Sequence, residues 1–314
     1  MRFYLGITDN SWYNYLSKIS PEDINFWQPR GNSTFKILQQ GEPFLFKLKR
    51  PYNSIGGIGF FLSYTSLQIN MAWDIFGNRN GYSTFSELKQ MIRQYRSDKE
   101  NTNPEIGCIV LTDPIFFRKE DWIDVTEYWS KSGIVQGKSF DTNTIIGNEL
   151  WQKIDDVRRK YWQPSSREAE DNQLILNDTE WPGYGKSILQ KVRVGQGAFR
   201  VLVTDAYNRR CSISGEKTLP VLEAAHIKPF NLEGPHTISN GLLLRSDIHK
   251  LFDSGYITIT KDYKAEVSKA IKEEFENGRE YYKYHGSNLL YLPSRDIDKP
   301  NENFIEWHNS IYKG

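Results

Sequence analysis

The sequence predicts an α+β protein built as two domains, and three observations carry that reading. Its 314 residues are more than one typical domain requires. Strand and helix periodicities are mixed through residues 1–145, as in a small, partly closed β-barrel with helices packed on it. Further along, a strand, a loop and a short helix bring His226, Asn240 and His249 into one local segment.

The elements follow in chain order. Arg2 to Ile7 reads as a first strand, and Phe44 to Lys49 alternates with period two as another. Pro51-Tyr52-Asn53 turns the chain into a glycine-rich aromatic strand, Gly56 to Tyr64, whose backbone can approach a neighbour closely. Leu67 to Phe76 reads as a short helix. Ser83 to Arg96 is a stronger one, with Ser83 as N-cap and Phe85, Leu88, Ile92 and Tyr95 on one face. Ile106 to Leu111 reads as a buried strand ended by Thr112-Asp113-Pro114. Asn148 to Trp162 is an amphipathic helix, with Leu150, Ile154, Val157 and Tyr161 at helical spacing, and it opens a linker over 146–185. The acidic stretch from Arg167 to Tyr184 reads as a connector.

The second domain spans 186–314. A helix is expected at Ala198 to Tyr207, then a turn at Ser214-Gly215 and an apolar strand from Leu219 into His226. Asn240-Gly241 sits in a loop. Ser246-Asp247 starts a helix that places His249 and Asp253 one turn apart on one face. Lys264 to Glu276 is expected to be helical, and Asn301 to Tyr312 forms the last helix.

Composition narrows the function. Charged residues are 25% and hydrophobic ones 38%, which suits a folded, soluble chain. The absence of an apolar signal region or a run of ~18 apolar residues predicts a cytoplasmic location with no membrane partner. Net charge is only +1, so the whole protein offers no basic field. Residues 186–265 nevertheless hold twelve Lys or Arg against seven Asp or Glu. Nine Trp, eighteen Tyr and seventeen Phe suit base stacking as well as core packing. Two cysteines, Cys108 and Cys211, make neither a disulfide framework nor a zinc knuckle, so no structural zinc is expected.

The segment Leu222-Glu223-Ala224-Ala225-His226-Ile227, with Asn240-Gly241 and Asp247 to Asp253, resembles the HNH (ββα-metal) nucleases. The stretch through Ile259 is similar to the HNH domain found in modification-dependent restriction enzymes beside EVE or SRA reader modules. The resemblance implies phosphodiester hydrolysis with one Mg²⁺ or Mn²⁺ per active site. His226 would be the general base, mostly neutral at cellular pH because an ordinary imidazole titrates near ~6.5. Asn240 would orient that imidazole or shape the loop. His249 would bind the metal, with Asp253 and Glu223 as further candidate ligands. Many HNH proteins place a metal-binding acid or histidine immediately before the base, where this chain has Ala225, so metal affinity is the point at issue. Arg193, Arg200, Arg209, Arg210, Lys228 and Arg245 are candidate phosphate contacts or a solvated basic face. His236, His285 and His308 fall outside the pattern and take a structural role.

The first domain resembles the EVE domain of the PUA superfamily, on Phe3 to Thr8, Phe26-Trp27-Gln28-Pro29, Phe44 to Lys49, Gly57 to Phe61 and Gly107 to Thr112. The resemblance implies a pocket for a flipped, modified base, with aromatic walls and polar groups reading the base edge. Trp12, Trp27 and Phe35 are candidate walls, and Thr8, Asp9 and Asn10 candidate polar groups. Together the two resemblances imply an endonuclease for double-stranded DNA carrying 5-methyl- or 5-hydroxymethylcytosine. A PUA-type module delivering a nuclease to RNA, or a non-catalytic reader with a decayed nuclease fold, are the alternatives. Clean double-strand cleavage by single-metal sites calls for a homodimer, with Phe304, Trp307 and Ile311 as a candidate surface.

Overall fold

The alternating apolar strands of the first half form one mixed sheet. The computed structural model describes residues 1–31, 34–129, 136–161, 173–175 and 191–314, with backbone alone for 173–175 and 191–193. It divides into two units, Met1–Ala198 and Phe199–Gly314.

In the first unit, β1 (Arg2–Thr8), α1 (Asn10–Ile19), β2 (Asp23–Gln28), β3 (Pro43–Leu48) and β4 (Ser54–Gln68) come first. They are followed by α2 (Ile69–Phe76), α3 (Phe85–Gln94), β5 (Glu105–Phe116), β6 (Ile123–Asp124), β7 (Gly137–Asp141) and α4 (Ile145–Tyr161). The strands run in the order β2-β5-β4-β3-β1-β7, with β6 beside β4. Among the described residues β1 and β3 pair in parallel and the sheet's other pairs are antiparallel. Register shifts at Phe46/Lys47, Ile58/Phe60 and Phe61/Ser63 bend the long strands, since a bulge adds twist to the strand that carries it.

Several elements differ from the sequence expectation for local reasons. Helix α1 is capped by Asp9, whose carboxylate accepts from the Ser11 N–H at 3.0 Å. Thr84, not Ser83, caps α3: it forms a reciprocal capping box with Glu87, and Ser83 donates its hydroxyl to the same carboxylate. Strand β5 runs on through Pro114 to Phe116, because the proline falls where the ladder with β4 is irregular and loses no regular bond. Helix α4 does not open a linker. Leu150, Trp151 and Ile154 are buried with Phe3, Leu5, Leu45, Ile58 and Phe60 in the core of the first unit. Its amphipathic face needs an apolar partner, and the sheet supplies it. Beyond it, β8 (Gln173–Ile175) and β9 (Lys191–Arg193) pair antiparallel, and the rest of the expected connector lies outside the described residues.

The second unit begins within α5 (Gln196–Ala206), followed by β10 (Leu222–His226), β11 (Gly241–Arg245) and α6 (Ser246–Asp253). Then come β12 (Ile257–Ile259), β13 (Ala265–Val267), α7 (Ala270–Phe275), α8 (Arg279–Tyr282) and α9 (Glu302–Asn309). The expected helix at Lys264 to Glu276 is instead β13 followed by the short α7. A tight turn with Tyr263 at φ 56° returns the chain onto β12, and Ala265 and Val267 alternate inward. Helix α9 buries Ile305 and His308 against its own unit, leaving Phe304 and Trp307 half-buried. Among the described residues no helix is long and apolar enough to cross a membrane.

Candidate functional site

The site in the second unit is built on the antiparallel pair β10–β11, in which His226 lies opposite Gly241 and Ala225 opposite Leu242. Leu242, Leu243 and Leu244 are fully buried and anchor the pair, and α6 follows β11 directly. Gly241 is required by space: a Cβ there would lie 2.5 Å from the Val203 side chain and 3.2 Å from Phe199. The Tyr207 hydroxyl donates to the Gly241 carbonyl at 3.0 Å, fixing α5 beside β11.

Asn240 is fully buried and holds the loop between the strands. Its amide donates to the carbonyls of Lys228 and Pro235, each at 2.9 Å, and accepts from the Lys228 N–H at 2.9 Å. Of its two anticipated roles the geometry shows loop shaping, because these bonds engage the amide on backbone rather than on an imidazole.

His226 packs flat on Phe199, with ring centroids 4.0 Å apart. Its Nε2 is 2.9 Å from Nδ1 of His236, and His236 in turn stacks on Phe230 at 4.3 Å. The role of His236 is not visible in spacing: it lies in a loop, and only tertiary folding brings it to His226. Burial first, then the neighbouring His236 and His249, push the His226 pKa down to about 4, opposed by Asp253. Burial pushes His236 down to about 4 as well. Both rings are therefore neutral near pH 7, the state a general base needs.

His249 has the opposite electrostatics. Its Nδ1 is 2.6 Å from Glu223 Oε2, and its Nε2 is 3.3 Å from Asp253 Oδ2. Burial disfavours its charged form, yet hydrogen bonds and charge from Asp253 and Glu223 outweigh that and raise its pKa. Three sequence-predicted residues thus meet. The Nε2–Asp253 separation is about the bite of two donors each ~2.1 Å from a divalent ion, so this pair could supply two donors and no more. Glu223 contacts the other ring nitrogen, the place of a group that orients a metal-binding histidine rather than a ligand beside it. Among the described residues no group of three or more His, Cys, Asp or Glu side chains forms a metal-binding set. Ala225 is fully buried and supplies no donor.

The candidate phosphate contacts are scattered in their engagements. Arg209 pairs with Asp205 at 3.4 Å, Arg210 donates to the Tyr291 hydroxyl at 3.0 Å, and Arg245 makes a forked pair with Asp247 at 2.6 and 2.8 Å. Arg200 is partly exposed on α5, and Lys228 is partly exposed two residues beyond His226. The Arg193 side chain lies outside the described residues. Cys211 is buried, and its sulfur accepts from the N–H groups of Ser214 and Arg245, both at 3.3 Å, which gives it a place in the turn. His285 accepts from the Val267 N–H, and His308 is stacked on Phe252 and bonded to Thr258, both structural placements.

In the first unit the candidate base-pocket residues separate into two groups. Thr8 is buried and donates to the Gly6 carbonyl, Trp12 packs edge-on against Phe26 and Phe46, and Phe35 packs on Tyr4 and Phe61. These three belong to the core: Thr8 points inward at the end of β1, Trp12 at the start of α1, and Phe35 is buried from the loop between β2 and β3. Trp27 instead stands between Tyr82 and Tyr95, at centroid distances of 6.4 and 6.2 Å. Beside Tyr95, the Lys49 ammonium donates to Asp9 and to the Tyr95 hydroxyl, each at 3.0 Å. Asn10 accepts from the Lys49 N–H at 3.0 Å. Burial opposes the charged form of Asp9, but bonds from Ser11 and Lys49 outweigh it and hold its pKa low. Trp27 Nε1 and the Tyr82 hydroxyl, which faces Ser11, are buried with no hydrogen bond of good geometry among the described residues. Tyr82 and Tyr95 lack any sequence signal that sets them apart from core aromatics.

Residues 211–260 match the family model described as HNH endonuclease. Among solved structures, ASCH from Zymomonas mobilis is 14% identical with a TM-score of 0.33, over 49% of this chain and 94% of that one. A modification-dependent TagI restriction endonuclease is 14% identical with a TM-score of 0.27, over 93% of this chain and 76% of that one. A comparison with curated proteins found no match.

Proposed function

We propose, from the premise that residues 211–260 are an HNH endonuclease domain, that this protein is a modification-dependent DNA endonuclease. The observation that carries the reading is a neutral His226 at the end of β10 together with His249 and Asp253 one turn apart on α6.

In this mechanism His226 removes a proton from the attacking water. The buried, uncharged ring is ready to do so at pH 7. His249 Nε2 and Asp253 would hold a Mg²⁺ or Mn²⁺ ion. When bound, such an ion offsets the charge on the phosphate and assists the leaving 3′ oxygen. Glu223 fixes the tautomer and direction of His249 through Nδ1. Asn240 keeps the loop closed behind His226. Arg193, Arg200, Arg209, Arg210, Lys228 and Arg245 remain the candidate phosphate contacts of this reading.

The first unit supplies selectivity. Trp27, Tyr82 and Tyr95 form walls on which a flipped base can stack, and Asp9, Asn10 and Lys49 line their edge with donors and acceptors. The unsatisfied Trp27 Nε1 and Tyr82 hydroxyl support a polar ligand there. The base of this reading is cytosine carrying a 5-methyl or 5-hydroxymethyl group, in double-stranded DNA. Cutting both antiparallel strands calls for a homodimer on DNA.

The test is one substrate panel: plasmid with cytosine, 5-methylcytosine or 5-hydroxymethylcytosine, and structured RNA, each with Mg²⁺, Mn²⁺ or EDTA. Cleavage of modified DNA alone, dependent on metal, is expected. Cleavage of RNA would favour the RNA-targeting alternative, and binding without cleavage would favour a non-catalytic reader. Light scattering with and without modified duplex tests the dimer; a strict monomer that leaves nicked plasmid would overturn it.

A further inference from the structure

His236 has no part in the mechanism above, yet it is the hydrogen-bond partner of the proposed base. Its Nδ1 faces His226 Nε2 at 2.9 Å with the two rings tilted 52° to each other, while His226 lies flat on Phe199 and His236 lies flat on Phe230. Among the described residues Nδ1 of His226 has no hydrogen-bond partner. A neutral imidazole carries one N–H and one lone pair, so two tautomeric arrangements of the pair exist. In one, His236 donates to His226, which then holds its proton on Nδ1 and has no lone pair left for water. In the other, His226 donates its Nε2–H to His236 and keeps the Nδ1 lone pair.

We propose that His236 is a positioning residue that accepts the Nε2–H of His226, so that His226 works as a base through Nδ1. The inference rests on the endonuclease reading and adds to it the identity of the reacting nitrogen and the group that selects it. In the step itself a proton passes from water to Nδ1. The water oxygen forms the new bond to phosphorus, the bond from phosphorus to the 3′ oxygen breaks, and that oxygen takes a proton from solvent. The imidazolium then donates a charge-assisted bond from Nε2 to His236, which strengthens as the proton arrives. His249 and Asp253 are the other titratable groups acting on His226, the first disfavouring its charge and the second favouring it. Burial keeps both members of the pair neutral beforehand, which a shared single hydrogen requires.

The decisive measurement is the tautomer of His226 in the full-length, ¹⁵N-histidine-labelled protein, read from two-bond ¹H–¹⁵N correlations at neutral pH. The expected result is protonated Nε2 and bare Nδ1 on His226, changing to a mixture in His236→Ala. A His226 protonated on Nδ1 overturns the proposal. On DNA that the wild type cleaves, His236→Ala should lower kcat by about 10- to 100-fold with KM unchanged, the scale for losing the partner that orients a functional histidine. His236→Asn should recover most of that loss, because its amide oxygen can accept near the former Nδ1. Wild-type kcat in His236→Ala overturns the proposal. If wild-type protein cleaves no DNA, the endonuclease reading fails and the tautomer measurement still decides this one.

Discussion

Glu223 and His249 lie 26 residues apart in the chain and meet between β10 and α6, with Oε2 2.6 Å from Nδ1. Glu223 is two residues before the buried Ala225 and on the same side of the strand. Its contact is with the ring nitrogen that faces away from Asp253, the place of an orienting group in the proposed mechanism. Glu223→Ala should therefore raise the Mn²⁺ concentration needed for half-maximal cleavage by about 10- to 100-fold, with near-normal rate at saturating metal. His249→Ala should abolish the metal response. An unchanged Mn²⁺ titration in Glu223→Ala would remove Glu223 from the site.

Loss of the base should be severe and specific. His226→Ala is expected to slow cleavage by ~10²–10⁴-fold while DNA binding and the far-ultraviolet spectrum stay as in the wild type. Because the His226 pKa is lowered to about 4, the base form persists as pH falls below 6.5. At saturating metal the wild-type rate should hold from pH 7 to about 5.5, whereas an ordinary histidine would already be losing activity there. An inflection near 6.5 in that profile would contradict the burial argument.

Acid stability follows from the same histidines with a fixed sign. His226, His236 and His308 each have a folded pKa of about 4, below the ordinary 6.5 of the unfolded chain. Their contribution to stability is complete above pH 6.5, declines as the unfolded state takes up protons below it, and is gone by about pH 4. His249, with a raised pKa, acts oppositely: its contribution is present at low pH and is lost as pH rises through its folded value. Three depressed groups against one raised group predict weaker stability on acidification. Urea unfolding at pH 7, 6, 5 and 4 should show a falling midpoint, with a shallower fall in His308→Gln. An identical slope in that variant would show that His308 does not titrate as a buried neutral group.

Selectivity should fail separately from cleavage. Trp27→Ala in the full chain is expected to lower the preference for modified over plain DNA at one fixed salt concentration by about tenfold or more, since base stacking on an aromatic contributes ~1–3 kcal/mol. Tyr82→Phe, which removes a buried hydroxyl with no well-formed bond, should alter the preference between 5-methyl- and 5-hydroxymethylcytosine rather than total affinity. Salt must be fixed because phosphate contacts alone move affinity by orders of magnitude. Equal binding of modified and plain duplex by the wild type would remove the reader assignment.

Much of the second unit was legible because its signals are local. His249 and Asp253 at i and i+4 must share a helix face once α6 forms, and β10 must end near His226, ahead of the Pro229-Phe230 turn. The helix expected at Lys264 to Glu276 was not legible, since Ala265 and Val267 suit either period until β12 is there to pair. Helix α4 shows the same limit. Its amphipathic spacing was plain, but spacing names no partner, and only the sheet core of Phe3, Leu5 and Phe60 shows that it is no linker.

The sequence by itself determined the α+β class and the local succession of strand, loop and helix that carries His226, Asn240 and His249, because periodicity and motif spacing are properties of the chain. Tertiary structure alone decided what those residues touch. It set His236 against His226, turned the amide of Asn240 onto Lys228 and Pro235, and gave Glu223 to Nδ1 of His249. It also buried Trp12 and Phe35 while leaving Trp27 beside Tyr82 and Tyr95. Hydrogen bonds and burial act over a few ångströms in space, and a separation of ten or twenty-six residues along the chain does not specify such a distance until the strands and helices between them have packed.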